Sequence, residues 1–145
     1  MRPMKSLEKA LSFKTERFDY RSELPKEYNA GNRFYGRDVA AFLTDQLNAG
    51  GIKASYLDED WGWYVEAQTP SAVEVEIAVY NINEHGCGGK VGKPEWGLWI
   101  RAFQRTKLLG GLISKRRAMS VPGEIEELVV AAIRSVGGSP ADWVE

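Results

Sequence analysis

Residues 72–82, AVEVEIAVYNI, constrain the fold more than any other stretch. Val73, Val75, Ile77 and Val79 occupy alternate positions, with Glu74, Glu76 and Tyr80 between them. A helix would scatter both sets around its axis. A strand sends successive side chains to opposite faces, so it gathers the aliphatics on one face and the carboxylates and tyrosine on the other. The chain must therefore build a sheet with one face buried and the other at least partly wet, which is the habit of antiparallel sheets.

Neighbouring segments fit the same sheet. WGWYVEAQ (61–68) alternates and ends in the turn-forming Gln68-Thr69-Pro70-Ser71. Its Trp61, Trp63 and Val65 share one face, and Tyr64 and Glu66 share the other. The tryptophans are read as core beneath helices, with contact at the sheet rim as the rival role for one of them. EWGLWIRAFQR (95–105) is a further strand. With Leu98 and Ile100 inward, Trp99, Arg101, Phe103 and Arg105 point outward. SFKTERFDY (12–20), IKASYL (52–57) and a short closing ADWVE (141–145) complete the expected strands.

Two segments carry the helical period instead. In GRDVAAFLTDQLNAGG, Val39, Phe42, Leu43 and Leu47 form a stripe and Gly50-Gly51 supply the stop. In SVPGEIEELVVAAIRSVGG, the stripe is Ile125, Leu128, Val129, Ala132, Ile133 and Val136. Pro122 suits the first turn, the glutamates that follow suit the positive end of the helix dipole, and Gly137-Gly138 close it. Helices are predicted over 37–49 and 122–136. The expected class is α+β, a two-layer sandwich with an antiparallel sheet of about five strands and two helices on one face. Residues 1–145 read as a single domain, long enough to bury about two thirds of its unfolded surface without staples.

Charge and cysteine narrow the function classes. Nineteen basic and twenty acidic side chains leave a net charge of −1, so there is no global attraction to nucleic acid or to an anionic membrane. Local patches remain available. The single cysteine, Cys87, forbids an internal disulfide and fits a reducing compartment. The chain start has no apolar run of signal-peptide length, and no stretch approaches the roughly 20 apolar residues of a membrane span. A cytoplasmic protein with no membrane partner is expected.

The motif tests fail. NEHGCGGKVGKPEWG (83–97) is glycine-rich and holds the lone His85 with Cys87. A phosphate loop needs GxxxxGK followed by Ser or Thr, but Cys87 and Pro94 occupy two required positions. A dinucleotide fingerprint meets Val91 where its third glycine belongs. One histidine and one cysteine fall short of a structural zinc site, and no acid is placed to orient them as a nucleophile pair. Asp58, Glu59 and Asp60 read as a solvated turn, since adjacent carboxylates rarely converge on a cation. Glu74 and Glu76 have a spacing open to paired-carboxylate catalysis, yet Arg101 and Arg105 on a neighbouring strand would pair with them more simply. No catalytic residue, metal or cofactor is expected.

QRTKLLGGLISKRRAMS (104–120) carries Arg105, Lys107, Lys115, Arg116 and Arg117 with no acid. Such a run can neutralise phosphates, but no aromatic lies inside it for base stacking, so nucleic acid is disfavoured. It reads as a solvated loop whose Leu108, Leu109, Leu112 and Ile113 pack in part, as an irregular hairpin arm.

The pieces YNAGNRFYGRD, EDWGWYVE, a later tryptophan-bearing strand and a terminal DW resemble small uncharacterised bacterial α+β proteins, some similar to toxin-immunity or inhibitor proteins. The resemblance spans residues 18–145 and implies no catalytic residues. It adds to the residue-level expectation: a protein-binding module, not an enzyme, whose partner is another protein or a second copy. The contact residues are expected to be Trp99, Arg101, Phe103, Arg105 and Tyr64. Trp143 in the C-terminal tail is the residue that could instead cover them. The rivals are an enzyme using His85 and Cys87 or Glu74 and Glu76, and a weak nucleic-acid binder using 105–117.

Overall fold

The computed structural model describes residues 7–18, 36–59, 62–81 and 95–142. Their elements are β1 (Lys9–Lys14), α1 (Arg37–Ala49), β2 (Lys53–Glu59), β3 (Gly62–Gln68), β4 (Glu74–Asn81), β5 (Glu95–Leu108), β6 (Ile113–Met119), α2 (Gly123–Ser135) and β7 (Ala141–Asp142). The fold is α+β, as the alternation demanded. The sheet is larger than expected, seven strands in the order β2-β3-β4-β5-β1-β7 with β6 also on β5. All strand pairs are antiparallel.

The added strand is β6, and the first strand is displaced. The first strand lies at Lys9–Lys14, upstream of the expected 12–20, because Leu11 and Phe13 supply its buried alternation. The segment 104–120 is the hairpin arm that its interleaved aliphatics suggested rather than a solvated loop: β5 runs on to Leu108 and turns back as β6. β5 therefore has a divided edge. Lys9–Lys14 pairs with Glu95–Ile100, while Met119–Ile113 pairs with Ala102–Leu108. Ala102 pairs with Val75 of β4 on its other side, so β1 and β6 follow one another along the same edge of β5. The closing strand is only Ala141–Asp142, against Leu11 and Ser12 of β1.

One face of this sheet is the core. Val65, Val75, Ile77, Val79, Trp96, Leu98 and Ile100 are buried on it, and Trp63 is nearly so. The choice of Leu98 and Ile100 as inward residues holds. α1 buries Val39, Ala40, Leu43 and Leu47, and α2 buries Ile125, Val129, Ala132 and Ile133. Burying each valine, leucine or isoleucine among these is worth about 1.5–3 kcal/mol, which is what holds the two layers together. Both helices lie on this face. Lys9, opposite inward-facing Ile100, reaches Glu126 of α2 at 3.5 Å. The start of α1 lies against Val79 and Trp63, where a Cβ on Gly36 would stand 3.1 Å from a Val79 methyl. The helices meet at Gly50, where a side chain would run into Leu128 at 2.7 Å.

Local chemistry sets the boundaries. Pro122 is the residue before α2, extended at φ −60° and ψ 142°, and its carbonyl accepts from Ile125 and Glu126. Thr69 organises the turn from β3 to β4: its hydroxyl accepts from Val73 N–H at 3.0 Å, and its carbonyl accepts from Ala72, held at φ 69°. At the β2 edge, the Asn48 side chain bonds both the N–H and the C=O of Ala54, at 2.9 and 3.1 Å. That occupies backbone groups which would otherwise invite another strand.

Candidate protein-binding face

The second face carries no helix among the described residues, and its side chains follow from register. Residues directly opposite in an antiparallel pair share a face. One transverse row is therefore Leu57, Tyr64, Ala78, Trp99 and Ala10. The next row toward the hairpin is Ser55, Glu66, Glu76 and Arg101. Beyond it come Gln68, Glu74, Phe103 and Ala118. The small Ala78 between Tyr64 and Trp99 leaves a shallow groove of about 600 Å³, also bounded by Glu76, Tyr80, Arg101, Phe103 and Arg116.

All five residues singled out from the sequence lie on this face. Tyr64, Trp99, Arg101 and Phe103 line the groove. Arg105 does not; it stands where the hairpin leaves the body, opposite Arg116. Trp99 is 36% exposed, and its indole N–H donates to Glu8 at 2.8 Å, which fixes the ring. Phe103 is only half-buried because the Arg116 guanidinium stacks over it at 3.8 Å, with Arg101 at 5.7 Å. The expectation of two bare aromatics therefore holds for Trp99, while Phe103 is covered from within the chain.

The arginines form an ordered lattice on two carboxylates. Arg101 bonds Glu76 at 2.6 Å. Arg105 grips Glu74 through Nε at 2.8 Å and a terminal nitrogen at 3.2 Å, and also donates to Ser114. Arg116 bridges both, reaching Glu74 at 3.0 Å and Glu76 at 2.7 Å. The predicted ladder of Arg101 and Arg105 on Glu74 and Glu76 is present, joined by a third cation from β6. The hydrogen bond from Arg105 holds the Glu74 carboxyl below its ordinary range; partial burial opposes this and Arg116 reinforces it. Arg105 and Arg116 are pushed above the usual arginine value, chiefly by their hydrogen bonds to Glu74 and Glu76 respectively. Three guanidinium groups on two carboxylates leave a net charge of about +1 beside the groove.

A general acid needs a carboxyl whose pKa is raised, and Glu74 is driven the other way. Among the described residues no group of three or more His, Cys, Asp or Glu side chains is placed to hold a metal. His85, Cys87, Asp60, Trp61 and Trp143 lie outside the described residues, as do the side chains of Asp58 and Glu59. Among the described residues, no helix is long and apolar enough to cross a membrane.

Sequence reasoning missed Arg116 and Glu8 as parts of this site. Arg116 reaches the groove only because β6 pairs with β5. The signal was Gly110-Gly111 between two aliphatic pairs, a hairpin turn pattern within the segment read as a solvated loop with an irregular hairpin arm. No protein-family model, curated protein or solved structure compared with the chain matches it.

Proposed function

We propose that this chain is a non-enzymatic, cytoplasmic protein-binding module of the immunity or inhibitor kind, and that it receives its partner on the open face of the sheet. The observation that carries the reading is Trp99. It is a large aromatic left in water at the centre of a sheet face, held in place by Glu8 and bordered by ordered arginines. Aromatic and arginine side chains dominate the energetics of protein interfaces. Side chains already fixed before binding lose less entropy on association, and the glutamate lattice fixes three of them. The shallow groove favours a protein surface over a small molecule, which prefers an enclosed cavity. The single cysteine fits the proposed compartment.

The partner is another protein or a second copy, and two measurements separate these. Sedimentation equilibrium of the purified chain reports self-association. Capture from lysate of the native host, with wild type and Trp99→Ser in parallel, reports a foreign partner. The reading requires that Trp99→Ser, folded by circular dichroism, loses the association by at least about tenfold, the size of a modest hot spot. Unchanged association in that variant would remove the open face from consideration.

A further inference from the structure

The β5–β6 hairpin leaves the body of the protein. Ala102 and Met119 are its last pair over the core; beyond them Gln104 with Arg117 and Thr106 with Lys115 are exposed. At the far end four aliphatic residues stand in water: Leu108 and Ile113 at 44%, Leu109 at 70% and Leu112 at 86% exposure. They do not pack, contrary to what their sequence pattern predicts. Gly110 and Gly111 make the turn at φ 66° and 96°, and a Cβ on either would meet nothing within 4 Å. Leu109 itself sits at φ 54°, a conformation that branched aliphatics avoid. The fold thus holds leucines at a strained, exposed tip where a polar turn would be more stable. The cation distribution is equally one-sided. From Arg101 to Gly123 there are six basic residues and no acid. Arg101, Arg105 and Arg116 are taken by Glu74 and Glu76, whereas Lys107, Lys115 and Arg117 form no ion pair among the described residues.

We propose that this tip, Leu108–Ile113, inserts shallowly into an anionic lipid surface. Three features favour lipid over a protein groove. First, all four aliphatics around the turn are exposed, which suits a medium that is apolar in all directions and needs no complementary shape. Second, Lys107 and Lys115 lie one and two residues behind the Leu108–Ile113 pair, a setback of roughly 3–7 Å at strand rise. The headgroup layer is roughly 5–8 Å deep, so their ammonium groups fall at phosphate level when the leucines reach the acyl chains. Third, the ribbon satisfies much of its own backbone: Leu108 pairs with Ile113, and the Leu112 N–H donates to the Leu109 carbonyl at 3.2 Å. Unpaired backbone is what excludes most loops from lipid. The near-zero net charge argues against long-range attraction, and no helix among the described residues is long and apolar enough to cross a membrane; neither bears on a six-residue tip. Binding should be reversible and should weaken with salt, because surface potentials decay within about a Debye length.

The tip lies away from the Trp99 groove, so the two readings can fail separately. The test is flotation of the full chain with vesicles of phosphatidylcholine alone and of phosphatidylcholine mixed equally with phosphatidylglycerol. The chain should float with the mixed vesicles and not with the neutral ones. Leu109→Ser/Leu112→Ser and Lys107→Gln/Lys115→Gln should each lower binding about tenfold or more, and Trp99→Ser should not. The lysine pair tests the idea even if the leucine variant misfolds. No flotation of wild type on anionic vesicles would overturn the proposal, as would equal flotation of wild type and both variants. A lipid-free dimer that the leucine substitutions dissociate, without vesicle binding, would overturn it in favour of contact between copies.

Discussion

Replacing Arg116 by methionine probes how the open face is held together. Methionine keeps an unbranched stem over Phe103 but removes the guanidinium that bridges Glu74 and Glu76. Each of those ion pairs is partly exposed and worth about 0.2–1 kcal/mol. The stack on Phe103 adds about 0.5–1 kcal/mol. Glu74 keeps Arg105 and Glu76 keeps Arg101, so no carboxylate is stranded. The mutual repulsion of Arg105 and Arg116 is also relieved, which trims the loss. The expected destabilisation is therefore about 1–2 kcal/mol. For a chain of this size that lowers Tm by about 2–8 °C. Urea unfolding followed by circular dichroism should show the loss in the midpoint with an unchanged slope, and the loss should shrink in high salt. A double-mutant cycle with Phe103→Leu should give a coupling of about 0.5–1 kcal/mol. If Arg116→Met is as stable as wild type and the cycle shows no coupling, the lattice is solvated, and the claim that the face is pre-organised for binding fails.

Three further outcomes follow from the same geometry. Because the folded state holds Glu74 below its ordinary value of 4.5, its stabilising contribution is complete above that value and is lost as pH falls through the depressed one. The stability gap between wild type and Glu74→Gln should thus stay flat from about pH 7 to about pH 5 and close in more acidic solution, as read by urea midpoints. Ala72→Gly should stabilise the protein by a few tenths to about 1 kcal/mol, since the native φ of 69° strains any residue with a Cβ; a loss on thermal melting would count against that turn. Ile77→Ala, at the fully buried centre of β4, should cost about 2–5 kcal/mol in the same assay, and a cost below 1 kcal/mol would misplace the core face.

Where one face was buried, the sequence was legible. Val73 to Val79 alternate because helices cover one side of β4, and that alternation carried over correctly to Leu98 and Ile100 inward and Trp99 outward. Where both faces meet water, the same signal vanishes. Thr106, Lys107, Ser114 and Lys115 are all exposed, so nothing in their polarity marks a strand, and only the Gly-Gly turn remained to be read. The site inherited that gap. Tyr64, Trp99 and Arg101 follow from alternation within single strands, whereas Arg116 over Phe103 depends on pairing between β5 and β6. The first strand was placed too late because Leu11 and Phe13 are a short alternation beside the equally plausible Phe18, which instead packs edge-on against Trp96 at 6.2 Å.

The central claim is that the open sheet face meets the partner, and photo-crosslinking tests it most directly. Benzoylphenylalanine installed at Tyr64, on the groove, is compared with the same group at Glu127, exposed on α2 behind the sheet. Irradiated in lysate of the native host, the groove position should yield a discrete adduct that Arg101→Glu abolishes, and the helix position should yield none. A discrete adduct from Glu127 with none from Tyr64 would place the partner on the helical layer and contradict the account.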